Sequence, residues 1–262
     1  MVAAGPYTPL DAADYGAFAQ LVRQVARRAP DVLVLAGPFV DADDAAGGAG
    51  RRGPEALLAA GVANWLVLLA RTRCRVLVVP ALEDAAAPAP VLPQPPLRRE
   101  LFPAPVRDRV LCAPNPCIVS LGGRGGSRGG VTLGVGTPDV VRSLGRTFVH
   151  RAREGAPADR LAALCRAVVG ARTFCPLVPA PVDAPVHSAL RARLALAPHT
   201  PDVLVLPSDV TPFAHRVALP GGRACTCVNP GRLVRGVALG TYARITVDPA
   251  THDVTSVATM QL

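Results

Sequence analysis

At 262 residues the chain is long enough for one large α/β domain, or two small ones, with a well-buried core. Half of it is hydrophobic but only 4% is aromatic, so Val, Leu and Ala must fill the interior. The formal charge is +9 and every basic residue is arginine. Ala, Arg, Gly and Pro are abundant while Lys, Ile and Asn are scarce, a composition that GC-rich coding produces without any acidic partner. The arginines are scattered rather than gathered into a stripe, so charge alone excludes neither a nucleic-acid nor a protein partner. The seven cysteines are odd in number and irregular in spacing. Met1 to Gly5 has no basic and apolar signal pattern, and together these favour a reducing compartment. The most apolar run, Ala56 to Ala70, is too short to cross a bilayer and reads as a buried helix.

In chain order, Met1–Ala4 and Asp31–Ala36 are the first strand-like runs, followed by Arg75–Val79 and, late in the chain, Asp202–Leu206. Each is short, nearly continuous in apolar residues and closed by Gly or Pro, as expected for strands buried on both faces. Asp14 to Ala29 carries Phe18, Leu21, Val22 and Val25 at helical spacing, and Pro54 stands where a helix over 54–71 would begin. Strand, helix, strand, helix, strand predicts βαβ crossovers and a largely parallel sheet. Ala85 to Pro105 is too rich in proline for a helix or central strand. Short β pieces follow at Val110–Cys112, Cys117–Leu121 and Val131–Val135, with Gly122–Gly130 as a hairpin insert. Asp159 to Ala171 reads as a helix. Ala224–Val228 and Gly240–Val247 read as two strands paired with each other on the far side of a sandwich.

In an open α/β sheet, function sits beyond the carboxyl ends of the strands. A two-metal phosphoesterase needs Asp, Asn and His there to hold its cations and generate hydroxide. The loops here read Gly5-Pro6-Tyr7, Gly37-Pro38-Phe39-Val40-Asp41, Pro80-Ala81-Leu82-Glu83-Asp84 and Asn229-Pro230-Gly231-Arg232. Pro38, Leu82 and Glu83 stand where ligands would be expected, leaving Asp41 and Asp84. Two carboxylates on separate loops cannot supply the dense oxygen shell of a dinuclear site, and capping of loop amides is their simpler use.

At these residues the chain resembles the B subunits of DNA polymerase alpha–primase. The likeness is carried by VAAGPYT at 2–8, GPFVD at 37–41 and PQPP at 93–96. It continues with TPDVLVLPS at 200–208, CVNPGRL at 227–233 and GTYAR at 240–244. The resemblance implies an α/β calcineurin-like metallophosphoesterase sandwich, two mixed sheets flanked by helices, with a degenerate active site. It implies a non-catalytic scaffold over residues 1–262, without cofactor or metal, that binds the C-terminal domain of the polymerase alpha catalytic subunit. Contact with primase would come through the complex, contact with DNA would be indirect, no membrane would be involved, and the location would be the nucleus. The family's OB and N-terminal helical modules are not in this sequence, which suggests a fragment. The competing readings are an active metal-dependent phosphoesterase and direct nucleic-acid binding through arginines.

Four residues stand out as partner-binding candidates: Asn229, Arg232, Pro95 and Pro96. Arg232 offers a planar fork for a carboxylate or phosphate, although Asn229-Pro230-Gly231 also suits a tight turn. Pro93 to Pro96 is either a polyproline docking strip or a rigid connector. Cys225 and Cys227 share one side of a strand, but structural zinc wants four ligands and no second pair lies nearby in sequence. Ser208-Asp209 lacks the Gly-x-Ser-x-Gly elbow of a hydrolase.

Overall fold

The computed structural model describes residues 1–9, 14–42, 53–122, 130–149, 159–248, 251 and 253–262. In chain order the elements begin with β1 (Val2–Ala4), α1 (Gly16–Arg28), β2 (Val32–Ala36), α2 (54–69), β3 (Arg75–Val79), α3 (Ala104–Arg107) and β4 (Val110–Cys112). The second half contains β5 (Cys117–Leu121), β6 (Val131–Val135), α4 (Val140–Thr147), α5 (Arg160–Ala171), β7 (Val203–Val205), β8 (Phe213–Ala218) and β9 (Ala224–Asn229). It closes with β10 (Val234–Arg235), β11 (Ala238–Leu239), β12 (Thr241–Val247) and β13 (Val254–Gln261).

Eleven of these strands build two mixed sheets, and β10 and β11 pair with each other as a separate antiparallel ribbon. The first is six-stranded in the order β13-β12-β1-β2-β3-β4, and the second five-stranded in the order β5-β6-β7-β9-β8. β1 to β4 run parallel, with β12 antiparallel to β1 and β13 antiparallel to β12. In the second sheet β6, β7 and β9 are parallel, and β5 and β8 flank them antiparallel.

Side-chain alternation explains why these strands are apolar throughout. In β1 to β3, Ala3, Leu33, Leu35, Val76 and Val78 face α1 and α2, meeting Phe18, Leu21, Val22 and Val25 of α1 and Leu58, Val62, Leu66 and Leu69 of α2. Their neighbours Val2, Ala4, Val34, Ala36, Leu77 and Val79 face the second sheet, against Leu133, Val135, Val203, Val205 and Val228. On the far side of that sheet, Leu204, Leu206, Cys225 and Cys227 pack under Val141 and Leu144 of α4 and Leu164, Cys165 and Val168 of α5. Four layers result, helix–sheet–sheet–helix, and both faces of each sheet are covered along its central strands.

The helices start and stop as their sequences dictate. Pro54 occupies the first turn of α2, and the helix widens into a π turn over Ala59–Ala63 before tightening at Val67–Leu69. Asp159, expected as the first helical residue, is the N-cap of α5 and accepts from Ala162 N at 2.9 Å; Asp139 caps α4 in the same way.

The expected pairing of Ala224–Val228 with Gly240–Val247 is not found. β9 lies between β7 and β8 in the second sheet, while β12 joins the first sheet beside β1. β9 is buried along nearly its whole length and so needs a strand on each side; β12 is buried only at Tyr242 and Ala243 and suits the outer half of a sheet. β8 and β13, both terminal strands, were not legible, because their polar alternating sequences carry no continuous apolar run. The antiparallel pairing of β5 and β6 gives the expected hairpin, and residues 123–129 of its glycine-rich insert lie outside the described residues.

Candidate functional site: the loops at the carboxyl ends of the strands

The loops after β1, β2, β3 and β9 meet at one end of the sandwich, and backbone hydrogen bonds fasten them. Gly5 N donates to Ala36 O at 2.9 Å, Gly37 N to Val79 O at 2.9 Å, and Leu233 N to Ala4 O at 2.8 Å. Residues 40–42 and 83–85 form a short antiparallel bridge, with Ala42 N to Glu83 O at 3.0 Å and Ala85 N to Val40 O at 2.9 Å. Gly37 is required by this close approach: a Cβ there would overlap the Asp84 carboxylate and stand 2.7 Å from Ala81 N.

Asp84 is the pivot. Its side chain is buried, and it accepts from Phe39 N, from Val40 N at 3.0 Å and from Ala81 N at 2.8 Å. Burial drives its pKa up to about 7, while the three amides pull the other way. The carboxylate therefore caps loop amides. Pro38 is buried beneath it, and Leu82 packs with Leu92, Cys175, Ala184 and Leu194 in a small apolar cluster of its own. Glu83 is exposed, and Asp41 is half-buried in the bridge with Asp84. Nearby, Tyr7 donates to Ala36 O at 2.8 Å, and its ring stacks on Phe39 with centroids 5.3 Å apart.

Asn229 is also committed internally. Its Oδ1 accepts from Ser208 N and Gly231 N, both at 3.0 Å, and its Nδ2 donates to Val210 O at 3.1 Å and Thr211 O at 3.3 Å. Gly231 sits at φ 74°, the left-handed region that a turn of this shape needs. The fork of Arg232 joins both halves of the sandwich: Nε donates to Asp209 Oδ1 at 2.9 Å and Nη1 to Gly5 O at 3.2 Å. Burial alone would raise the pKa of Asp209, but its bond to Arg232 and the nearby charges of Arg142 and Arg235 hold it below the usual range.

A second polar chain lies beside these loops. Gln94 donates to Ala81 O and Ala89 O, each at 2.8 Å, and Asn115 donates to Gln94 Oε1 at 3.2 Å and to Thr137 Oγ1 at 2.7 Å. Thr137 then donates to Pro80 O at 3.1 Å. Gln94 therefore anchors the proline-rich connector while Pro95 and Pro96, next to it, are exposed. Sequence reading assigned no such contacts to Tyr7, Gln94, Asn115, Thr137 or Asp209. Gln94 was read only as part of a docking strip or rigid connector, and nothing in that reading says what its amide will touch.

Elsewhere the structure brings together what the sequence kept apart without making a metal centre. Cys165 of α5 joins Cys225 and Cys227 of β9, and hydrogen bonding among these thiols, with burial, pushes the pKa of Cys227 well above its ordinary value. Among the described residues no group of three or more His, Cys, Asp or Glu side chains is arranged to hold a metal ion. Ser208 is buried, and its hydroxyl accepts from Val210 N at 3.3 Å, so no hydrolase triad forms around it. His150 and His252 lie outside the described residues. No described helix is long and apolar enough to cross a membrane.

Comparison with known proteins gives this arrangement a context. The profile of the B-subunit family of DNA polymerases alpha and epsilon matches residues 1–215. The chain belongs to that family. Curated relatives extend the match to nearly the whole chain. The B subunit of DNA polymerase alpha from Rattus norvegicus is 28% identical over 94% of this chain and 39% of its own length. Those of Schizosaccharomyces pombe and Drosophila melanogaster are 27% and 31% identical, each over 95% of the chain and over 42% and 37% of their own lengths. The chain thus spans about two fifths of the B-subunit relatives it matches. The loops described above are the part of the sandwich where a catalytic α/β protein would carry its chemistry.

Proposed function

We propose that this chain is a non-catalytic accessory subunit of a replicative DNA polymerase alpha–primase, a scaffold without metal or cofactor. Its two-sheet sandwich is then that of a calcineurin-like phosphoesterase whose catalytic loops have become structural, with residues 1–262 forming one such domain. The observation that carries the reading is the use of the donors at the strand ends. Asp84 is filled by three backbone amides, the Asn229 amide is filled by four loop contacts, and Pro38 and Leu82 offer no side-chain ligand atom at all. A two-cation site needs several converging oxygen or imidazole ligands with free lone pairs, and the described residues of these loops bring no such set together.

The relatives are named as subunits of DNA polymerase alpha. Carried to this chain, that name supports a stable contact with the catalytic subunit; the family resemblance further implies its C-terminal domain as the place of contact, an indirect link to primase and DNA, and action in the nucleus. A stable contact of this kind would bury about 1,200 Å² or more. The test is co-expression of the chain with the C-terminal domain of its polymerase alpha catalytic subunit, followed by size-exclusion chromatography at moderate salt. A one-to-one complex is the expected result. Separate elution of two well-folded proteins would overturn the reading.

A further inference from the structure

The end of the sandwich opposite the strand-end loops is open. A groove of about 710 Å³ runs between β4 and β5, the terminal strands of the two sheets, near the amino ends of β2 and β3. Its floor belongs to the intersheet core: Leu77 is a member of that cluster, and Val119 and Leu121 are packed against it. Leu111 pairs in register with Leu77 and therefore faces the same way, yet it is 56% exposed, because no described strand of the second sheet covers it. Pro96 forms part of one wall. Apolar surface continuous with a core is thus left uncovered here, the pattern of an interaction site rather than of scattered surface leucines.

The rim is basic. Arg75, Arg99 and Arg109 line the groove against a single acid, Asp108. Asp108 is taken by Arg99 at 2.7 Å, and Arg75 Nη1 reaches only the Asp108 backbone oxygen, at 3.1 Å. Among the described residues neither Arg75 nor Arg109 is in an ion pair. The lining contains no aromatic ring, so it lacks the stacking platform on which single-stranded nucleic acid relies. An apolar floor with an arginine rim fits instead a peptide whose apolar side chains are flanked by carboxylates.

We propose that this groove docks an extended segment of a partner protein in which Val, Ile or Leu residues are bracketed by Asp or Glu. The apolar residues cover Leu111 and the strip from Leu77 to Leu121, and the acids pair with Arg75 and Arg109. Nothing in this docking depends on where the catalytic subunit attaches.

The experiment pans a displayed library of short random peptides on the intact chain, then measures the consensus peptide by fluorescence anisotropy. Three proteins are compared: the wild type, Leu111→Asp, and Arg75→Glu combined with Arg109→Glu. Arg75 and Leu111 are exposed and Arg109 is half-buried, and thermal melts confirm that each variant folds. The expected consensus alternates apolar and acidic residues, and each variant weakens its binding by roughly tenfold or more, the scale of a lost anchor or charge pair. No enrichment, a consensus without acids, or binding unchanged in either variant would overturn the proposal. So would an oligodeoxythymidine that binds the wild type and displaces the peptide, since that assigns the rim to nucleic acid.

Discussion

The two ends of the sandwich are built on opposite terms. At the carboxyl ends of the strands, buried polar side chains are plentiful, and Asp84, Gln94, Asn115 and Asn229 are all occupied by the chain's own atoms. At the amino ends there is little buried polarity, but an apolar floor and charged rim are left uncovered. The difference teaches where binding capacity resides. A buried donor or acceptor that already has its partner gains little from a ligand, whereas uncovered apolar surface gains free energy from any partner that removes it from water.

Substitutions should separate the two ends. The largest effect is expected for Asp84→Ala, which leaves three buried amides without an acceptor and should lower unfolding free energy by about 3–5 kcal/mol in urea denaturation. Asn229→Ala removes four contacts from one tight turn and should cost about 2–3 kcal/mol by the same measurement. Arg232→Ala, losing a half-exposed ion pair and one backbone contact, should cost about 1 kcal/mol. Leu111→Asp, at the open end, should change stability by no more than about 0.5 kcal/mol. If Leu111→Asp were as destabilising as Asn229→Ala, the distinction between a closed and an open end would fail.

The pH dependence sharpens the same contrast. The pKa of Asp84 is about 7 in the folded protein, raised by burial, against roughly 3.9 in an unfolded chain. The folded state therefore holds this proton more tightly than the unfolded one between those values. Its contribution is full below about pH 4 and is lost as pH rises through about 7. Relative to Asp84→Asn, which cannot titrate, the wild type should lose stability steadily across that window in denaturation series at several pH values. A flat difference would mean that the carboxylate is ionised throughout and that the amides outweigh burial.

Much of the first sheet was legible in advance because its strands are buried on both faces. Runs such as Val32–Ala36 need no partner information to be read, and the helices between them follow from the spacing of Phe18, Leu21 and Val25. What was lost was whatever depends on a distant partner. β9 and β12 both read as short strands, yet which sheet each joins is set by neighbours far away in the chain. At the candidate site, the absence of ligand atoms at Pro38 and Leu82 was plain in the sequence, and so was a capping use for Asp84. The Gln94–Asn115–Thr137 chain was not, since amide partners more than twenty residues apart leave no local pattern. The arginine rim was equally hidden: Arg75, Arg99 and Arg109 look scattered until β3, the connector at 99–101 and the start of β4 bring them to one edge.

Metal binding tests most directly whether the strand-end loops have given up coordination. Isothermal titration of the purified chain with Mn²⁺, with phosphate-ester hydrolysis followed on the same sample, should give no saturable binding and no turnover above buffer. Two equivalents of tightly bound metal accompanied by hydrolysis, both abolished by Asp84→Asn, would contradict this and restore these loops as a catalytic centre.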